Sequence, residues 1–315
     1  MRNAFAKTIE QLAAEDSRVV LLSGDIGNRM FDSFKQRFPD RFCNCGVAEA
    51  NMISLAAGLA MSGLRPYAYT IAPFMVYRAF EQIRVDLCYH HQPVVIVGVG
   101  AGLGYASLGA THHSCEDIAT MRTLPGMTVV CPADPIETAL ATRAALACDG
   151  PVYLRIGKKG EPAIHKTQPD FQIGRAITVR EGDDVCLLAT GSIMPDVLAV
   201  ADRLAQRDVA ARVVSIHTVK PLDCALLADV FDRFAVVATI EEHSRIGGLG
   251  GAVAEWLVDQ AHQPRARLLR FGTADTFLHE ALNREHARRL LGLADSDIVD
   301  QILLAHAQVL EKAAS

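Results

Sequence analysis

Short, almost wholly apolar runs alternate with longer segments of mixed polarity along the first half of the chain. Glycine, proline or polar residues bound the apolar runs, which is typical of strands buried on both faces of a parallel sheet. The pattern predicts strands at 19–23, 41–45, 65–70, 94–100, 127–131 and 152–155, and helices at 49–62, 74–90, 114–124 and 135–148. Alternation of strand and helix predicts a parallel sheet with helices on both faces.

Residues 157–173 interrupt this pattern, because they are rich in glycine, lysine, proline and polar groups and lack apolar periodicity. We interpret them as an interdomain linker. The alternation then restarts, with strands predicted at 185–192, 211–216, 235–240 and 266–271 and helices at 195–206, at 247–260 and at the end of the chain. The predicted fold class is therefore α/β, with one parallel-sheet domain over 1–165 and a second, smaller one over 175–315.

Composition narrows the class of protein. A chain of 315 residues that is 50% hydrophobic is long enough for two cores. The net charge is −5, and no run of basic residues is longer than Lys158-Lys159, so we expect no nucleic-acid partner. No apolar run reaches the roughly 18 to 20 residues that cross a bilayer, and the first residues lack the apolar region of a signal peptide. We expect no membrane partner.

The eight cysteines are scattered and form no CxxC motif, which indicates a reducing, cytoplasmic protein. Cys43 and Cys45 lie two residues apart on a predicted strand and so share one face. This spacing leaves a metal pair or a redox role open. Several of the other cysteines lie in apolar runs, where they are typical core residues, and we expect no metal site.

Glu49 is a lone carboxylate at the start of an apolar helix of small residues. An acid there is either an exposed charge that the helix dipole favours or a proton-handling group whose pKa apolar surroundings raise. Another candidate element, the glycine-rich loop at 98–104, follows a strand but lacks the immediate helix and downstream acid of a dinucleotide fingerprint. We interpret this loop as a mobile active-site loop.

Several short segments follow one another along the chain in a characteristic order. They are Gly24-Asp25-Ile26-Gly27, Gly46-Val47-Ala48-Glu49-Ala50-Asn51, Pro73-Phe74, Arg78-Ala79-Phe80-Glu81-Gln82-Ile83, Gly109-Ala110-Thr111-His112-His113, Leu124-Pro125-Gly126-Met127, Cys131-Pro132-Ala133-Asp134 and Tyr153-Leu154-Arg155. This order resembles the pyrimidine-binding domain of the transketolase family of thiamine diphosphate enzymes. The second half resembles the C-terminal domain of that family, through Leu188-Ala189-Thr190-Gly191-Ser192, Thr218-Val219-Lys220-Pro221-Leu222-Asp223 and Glu241-Glu242-His243.

A missing motif indicates a partner. The family holds the cofactor's diphosphate and its Mg²⁺ with a separate domain that carries a GDG motif, and no GDG occurs here. The resemblance therefore implies the C-terminal subunit of a split transketolase. An N-terminal transketolase subunit would supply the diphosphate and Mg²⁺ site, and two copies of each subunit would form an α2β2 heterotetramer.

The resemblance assigns four residues to the cofactor. Glu49 matches the acid that hydrogen-bonds the pyrimidine ring and so favours its reactive imino tautomer. Phe74 matches the aromatic platform under that ring, and Ile26 matches the bulky aliphatic residue that bends the cofactor. Asp25 matches a residue near the cofactor at the subunit interface, although a simple turn residue is an alternative.

Four residues are assigned to the sugar. His112 matches the catalytic histidine that contacts the donor sugar. Arg155 and Arg2 match arginines that bind the sugar phosphate, for which a planar guanidinium is suited. Arg78 either serves likewise or pairs with Glu81 or Asp86 on its own helix. His113 stands where the family commonly has glutamine, so its role stays open.

Two departures from the family pattern concern the substrate. Leu108 stands where the family has an aspartate that reads a sugar hydroxyl, and Gly100 stands where many members have a histidine near the substrate phosphate. Because a missing hydrogen-bonding partner changes specificity strongly, we expect ketol transfer with an altered sugar preference. The alternatives are the β subunit of a 2-oxo acid dehydrogenase, a 1-deoxyxylulose 5-phosphate synthase-like enzyme and a non-catalytic scaffold.

Overall fold

The computed structural model describes residues 1–27, 29–261 and 266–314. Its strands are β1 (Val19–Ser23), β2 (Phe42–Asn44), β3 (Arg65–Ile71), β4 (Val95–Val99), β5 (Thr128–Val130), β6 (Val152–Ile156), β7 (Ile177–Arg180), β8 (Val185–Thr190), β9 (Ala211–Ser215), β10 (Thr218–Lys220), β11 (Val236–Ser244) and β12 (Arg267–Thr273). Its α-helices are α1 (Arg2–Glu15), α2 (Asp32–Arg37), α3 (Glu49–Met61), α4 (Ala72–Arg78), α5 (Phe80–Gln82), α6 (Asp117–Arg122), α7 (Pro135–Ala145), α8 (Met194–Ala205), α9 (Cys224–Arg233), α10 (Leu249–Val258), α11 (Arg284–Leu290) and α12 (Asp295–Ala314).

The first sheet has seven strands in the order β10-β5-β6-β4-β3-β1-β2, and six of them run parallel. Strand β1 shows why this sheet is covered on both faces. Its residues Val20 and Leu22 pack into the core cluster that contains α3, whereas Val19 and Leu21 pack into the cluster that contains α1. Successive side chains of a strand point to opposite faces, so a run that is apolar throughout requires helices on both sides.

The second sheet has five strands in the order β12-β11-β8-β9-β7, and β7 is its antiparallel edge. The two-sided pattern recurs in β8, where Leu187 packs into one core cluster and Leu188 into the other. The predicted α/β class with two parallel-sheet domains is therefore confirmed. Both sheets additionally carry an antiparallel edge strand that the sequence pattern did not predict.

The predicted elements differ from the structure in two ways. The single helix predicted over 74–90 is broken: α4 ends at Arg78, and α5 leads into a π-helical segment, Ile83–Tyr89. The short strands β7 and β10 and the helices α1, α2 and α9 were not predicted. Strand β10 follows the linker in sequence yet pairs with β5 of the first sheet, through Thr218 opposite Val130. The second half of the chain thus completes the first sheet.

A buried ion pair lies where the two halves of the chain meet. The Arg155 side chain is 3% exposed, and its Nε donates to both carboxylate oxygens of Asp117 at 3.0 and 2.8 Å. Its Nη2 donates to the backbone carbonyls of Ser114 at 3.0 Å and Glu242 at 3.1 Å. The Arg155 guanidinium therefore ties α6 and the loop before it to β11 of the second domain.

The side chain of Glu242 makes further contacts between the two domains. Its carboxylate accepts from the backbone N–H of Leu103 at 2.8 Å and from the guanidinium groups of Arg284 and Arg288. Burial raises the pKa of Glu242, but the two arginines outweigh burial and hold it at about 2. The neighbouring His243 stays neutral, because burial lowers its pKa to about 4 and its Nε2 accepts from the backbone N–H of Ala119.

Replacing Arg155 by methionine should destabilise the chain more than a surface change would. The substitution leaves the carboxylate of Asp117 buried without its cation, which typically costs about 3–5 kcal/mol. We expect the free energy of unfolding to fall by about that amount in urea titrations followed through the fluorescence of the single tryptophan, Trp256.

The matched control is Arg18→Met, which breaks the exposed pair between Arg18 and Asp16. Water already screens that pair, so the unfolding midpoint should stay almost unchanged. Equal effects of the two substitutions would show that the Arg155 pair does not hold the domains together.

Candidate active site

Four of the residues singled out from the sequence follow neighbouring strands of the first sheet. Asp25 and Ile26 follow β1, Glu49 follows β2, and Phe74 lies in α4 directly after β3. His112 lies beyond β4, in the last of two short 3₁₀ turns. Because β1 to β4 run parallel, their carboxyl ends share one edge of the sheet, where ligands of open α/β sheets bind.

Glu49 is the first residue of α3, and it is only 3% exposed. The apolar, small residues of α3 let this helix pack closely on the sheet, so its first acid is carried into the protein rather than into water. Arg78 donates to both carboxylate oxygens, from Nη1 to Oε1 at 3.3 Å and to Oε2 at 3.2 Å. The partner of Arg78 is thus Glu49, and not Glu81 or Asp86 as one interpretation of the sequence expected.

Phe74 supplies a flat surface next to this acid. The guanidinium carbon of Arg78 lies 4.0 Å from the centre of the half-buried Phe74 ring. Arg78 is 48% exposed, so its planar group reaches this place from the solvent side. The arrangement therefore accepts a planar, nitrogen-bearing group that stacks on the ring and donates to the carboxylate.

His112 also packs against Phe74. The two ring centres are 5.0 Å apart at an interplanar angle of 67°, and the Thr111 hydroxyl is 2.9 Å from His112 Nδ1. Burial lowers the pKa of His112, and the nearby charges of His113 and Arg78 lower it further. A neutral imidazole beside an aromatic platform can accept a proton or donate a hydrogen bond to a substrate oxygen.

Asp25 and Ile26 occupy the turn after β1. Asp25 is exposed, has the unusual backbone angle φ 58°, and exchanges two hydrogen bonds with Asn44 at 2.9 and 3.2 Å. Asn44 also accepts from the backbone N–H of Gly46 at 3.0 Å. The Asn44 side chain thus joins the turn after β1 to the loop that leads to Glu49. Ile26 is half-buried, and its carbonyl accepts from the Ser23 hydroxyl at 2.7 Å.

The structure does not bring Arg155 to this edge as a free phosphate ligand. Its guanidinium is buried against Asp117 and two backbone carbonyls, and its contact with a sugar phosphate stays a prediction. The sequence pattern identified the arginine but could not identify its acidic partner, which lies 38 residues away. Arg2 begins α1 and stays a predicted phosphate ligand, and its buried Nε has no hydrogen-bond partner among the described residues.

Tyr105 and Lys158 are two residues that the sequence interpretation did not single out as site residues. The Tyr105 ring centre lies 6.1 Å from that of His112, and the ammonium of Lys158 lies 4.5 Å from the Tyr105 ring centre. An aromatic residue inside a glycine-rich loop is the signal that could have found Tyr105. Leu108, from the same loop, is 52% exposed.

The sequence left the roles of His113, Cys43 and Cys45 open. His113 Nε2 is 3.3 Å from the carbonyl of Ala106, and its side chain lines a cavity of about 520 Å³ between the two domains. The sulfur atoms of Cys43 and Cys45 are 3.8 Å apart. Over residues 1–27, 29–261 and 266–314, no three histidine, cysteine or acidic side chains come together as a metal-binding group.

Comparison with known proteins bears on the same two domains. The family model for the transketolase pyrimidine-binding domain matches residues 1–161, and that for the transketolase C-terminal domain matches residues 174–298. Across the described residues, no helix is both long and apolar enough to span a membrane.

Two curated relatives and one solved structure are similar over almost the whole chain. An apulose-4-phosphate transketolase subunit of Phocaeicola vulgatus is 33% identical, over 90% of this chain and 94% of that protein. The 6-deoxy-6-sulfo-D-fructose transketolase subunit SqwH of Clostridium sp. is 36% identical, over 95% and 92%. A structure described as a split gene transketolase, inactive beta4 tetramer, superposes with a TM-score of 0.86 at 36% identity and covers 97% of both chains.

Replacing His113 by glutamine should raise the pKa of His112. The substitution removes one of the positive charges that oppose protonation of the neighbouring ring, while burial and Arg78 keep their effect. In a pH titration followed by nuclear magnetic resonance, we expect the midpoint for the His112 ring signal to move toward the ordinary pKa near 6.5. The control is the exposed His90, whose replacement by glutamine should leave the His112 titration unchanged. A His112 pKa that stays constant or falls in the His113 variant would contradict the electrostatic description.

Proposed function

Because this chain belongs to the transketolase family over nearly its whole length, we propose that it is the C-terminal subunit of a two-subunit transketolase. In this role it transfers a two-carbon ketol unit from a ketose, with a phosphate or related anionic group, to an aldose. The cofactor would be thiamine diphosphate, with Mg²⁺ bound by an N-terminal partner subunit. The subunit would act as a transferase of aldehyde and ketone groups only in that complex.

One observation carries the proposal. A planar guanidinium with N–H donors stacks on Phe74 and donates to both oxygens of the buried Glu49. The aminopyrimidine of thiamine is also planar and nitrogen-bearing, and it needs the same two contacts. Arg78 is half exposed, so it can leave this position when such a ring enters. The residues present therefore fit the pyrimidine part of the cofactor.

Each residue has a proposed task. Bound thiamine diphosphate would supply a stabilised carbanion equivalent for the carbon–carbon bond change. Glu49 holds the hydrogen bond to the pyrimidine ring nitrogen, and Phe74 supports the face of that ring. Ile26 and Asp25 would bound the cofactor from the turn after β1. His112 would donate to the substrate oxygen and move its proton, and burial, which lowers the pKa of His112, favours the neutral ring for this task.

A partner subunit is proposed because this chain lacks the GDG motif that holds diphosphate and Mg²⁺ in the family. The described residues offer no cluster of three or more histidine, cysteine or acidic side chains for Mg²⁺. Two relatives are named as transketolase subunits, and the similar tetramer is described as inactive, which supports dependence on a second subunit. We propose an α2β2 heterotetramer, and the free thiols of the cysteines support a cytoplasmic location.

The substrate should differ from a common pentose phosphate. Leu108 presents an exposed aliphatic side chain where the family pattern has an aspartate, so the corresponding sugar hydroxyl would lack its acceptor. Sites that hydrogen-bond a hydroxyl discriminate strongly, and removal of the acceptor changes which sugar is preferred. The curated relatives act on apulose 4-phosphate and 6-deoxy-6-sulfo-D-fructose by name, and a related, uncommon anionic sugar is our proposal for this chain.

The test of this function is co-expression with the subunit encoded by the adjacent reading frame, followed by assays with thiamine diphosphate and Mg²⁺. Ketose donors and 2-oxo acids are supplied separately. Turnover of ketoses with an aldose acceptor supports the transketolase. Turnover of pyruvate alone would instead favour a 2-oxo acid dehydrogenase subunit, and pyruvate condensed with glyceraldehyde 3-phosphate would favour a 1-deoxyxylulose 5-phosphate synthase. No turnover of any donor would favour the scaffold.

In the active complex, Glu49→Gln should lower kcat by about 10²–10⁴-fold, because the amide cannot play the proton-handling role of the acid. Circular dichroism should show the same fold for the variant and the native subunit. The control is Glu81→Gln, which changes an exposed carboxylate on α5 and should leave kcat unaltered. Normal turnover by the Glu49 variant would refute the role assigned to this acid.

A further inference from the structure

Two cysteines flank Asn44, the last residue of β2. Cys43 is exposed, Cys45 is half-buried, and their sulfur atoms are 3.8 Å apart. A disulfide needs a sulfur–sulfur bond of about 2.0 Å and a Cα separation of at most about 6.8 Å. Two residues of extended strand span roughly 6.4–6.8 Å, which lies at the upper end of that range. A small contraction of the backbone at residue 44 would therefore let the two sulfurs bond.

The place of β2 in the fold permits such a contraction. This three-residue strand lies at the edge of the first sheet, beside β1. Cys45 comes directly after the strand, where its backbone N–H donates to the carbonyl of Ser23 at 2.8 Å. A contraction at residue 44 thus disturbs the end of one short edge strand and leaves the central strands of the sheet in place.

Asn44 connects this pair of thiols to the candidate active site. Successive side chains of a strand point to opposite faces, so the Asn44 amide points away from the two sulfurs. Its Oδ1 accepts from the backbone N–H groups of Asp25 at 3.2 Å and Gly46 at 3.0 Å, and its Nδ2 donates to the Asp25 carboxylate at 2.9 Å. These bonds join the turn that carries Ile26 to the loop that leads to Glu49. A backbone change at residue 44 therefore reaches two elements of the cofactor site.

The surroundings of the two thiols favour redox chemistry over a metal site. Zinc takes at least three protein ligands, and over the described residues no three histidine, cysteine or acidic side chains come together. Cys43 is open to a soluble oxidant, whereas burial, and next the charge of Cys43, raise the pKa of Cys45. The exposed Cys43 sulfur is thus the one that a small disulfide meets first, with Cys45 as the second thiol.

From this arrangement we propose that Cys43 and Cys45 form a reversible thiol–disulfide modification site, whose oxidation displaces Asn44 and weakens binding of the cofactor's pyrimidine. The oxidant is a small-molecule disulfide. The Cys43 thiolate attacks one sulfur of that molecule and releases the first small thiol, and the Cys45 thiolate then attacks the Cys43 sulfur and releases the second. The two protein thiols lose two protons and two electrons, and the small disulfide gains them.

In a reducing compartment such a disulfide is transient and serves regulation rather than stability. The effect on the cofactor rests on the proposed function, whereas formation of the disulfide and displacement of Asn44 do not.

The first experiment treats the full chain with glutathione disulfide, alkylates the remaining free thiols and maps the peptides by mass spectrometry. The peptide with both cysteines should lose two hydrogen atoms, escape alkylation and regain both thiols after treatment with dithiothreitol. Cys43→Ser and Cys45→Ser should each abolish this product. The control is Cys224→Ser, which changes another exposed cysteine, on α9, and should leave the product unaltered.

The second experiment follows the connection through Asn44. Oxidation should speed hydrogen exchange at the backbone N–H groups of Asp25 and Gly46, because both donate to the Asn44 oxygen that is displaced. In the complex with the partner subunit, oxidation should also raise the apparent Kd of thiamine diphosphate about tenfold, within the range typical of coupled sites, and dithiothreitol should restore it. Asn44→Ala removes the same oxygen, so oxidation of that variant should change neither quantity further.

The outcomes separate this inference from the proposed function. A native chain that forms no disulfide, or only mixed disulfides with glutathione, would overturn the modification site. A disulfide that leaves hydrogen exchange and cofactor affinity unchanged, or that acts equally in the Asn44 variant, would overturn the coupling through Asn44. A reduced complex that binds no thiamine diphosphate would overturn the proposed function, while peptide mapping and hydrogen exchange would still decide whether the thiol pair acts on Asn44.

Discussion

The buried contact between Arg155 and Asp117 is the interaction on which the arrangement of the site depends. The Arg155 guanidinium joins α6, the carbonyl of Ser114 and the carbonyl of Glu242, so it touches both domains at once. Ser114 follows the loop that carries His112, and Leu103 at the other end of that loop donates to Glu242. Both ends of the loop are therefore fixed to β11, although the loop is rich in glycine. A buried pair of this kind sets geometry more than it adds stability.

The position of His112 then follows from two independent constraints. The second domain fixes the ends of its loop, while Phe74 of the first domain packs against its ring at 5.0 Å. Glu49 and Phe74 come from elements that follow parallel strands of one sheet, so the sheet itself sets their separation. An acid, a flat ring and an imidazole are thus held by rigid elements rather than by one flexible segment. Such preorganisation is the usual requirement for catalysis by orientation and electrostatics.

Much of the fold could be predicted because local signals and tertiary structure agree. The apolar run at 19–23 forms β1 over the same residues, and the helix predicted at 49–62 forms α3 over Glu49–Met61. The helix predicted at 74–90 fails in its middle, where Ala79 leaves helical geometry and a π-helical segment follows. Strand β10 has only three residues and obtains its partner from the other domain, which no local pattern can indicate.

The site was predictable where a residue's neighbours come from the ends of nearby strands, as with Glu49 and Phe74. It was not predictable where the partner is distant in sequence. Arg155 matched a phosphate-binding arginine in type and place, yet Asp117 holds its guanidinium inside the protein. Arg78 had two acids within reach on its own helix, but it turns to the buried Glu49. In both cases a long cation selects the most desolvated carboxylate nearby, and burial cannot be read from spacing alone.

Because β10 pairs with β5, the two domains cannot be separated cleanly at the linker. A cut within residues 157–173 would fall outside every helix and strand of the fold. Separation of the two parts would nevertheless remove β10 from one side of β5 and leave backbone donors and acceptors there open to other chains. Excised halves would therefore be prone to self-association. A recombinant first domain should therefore include β10 together with the other strands of the first sheet.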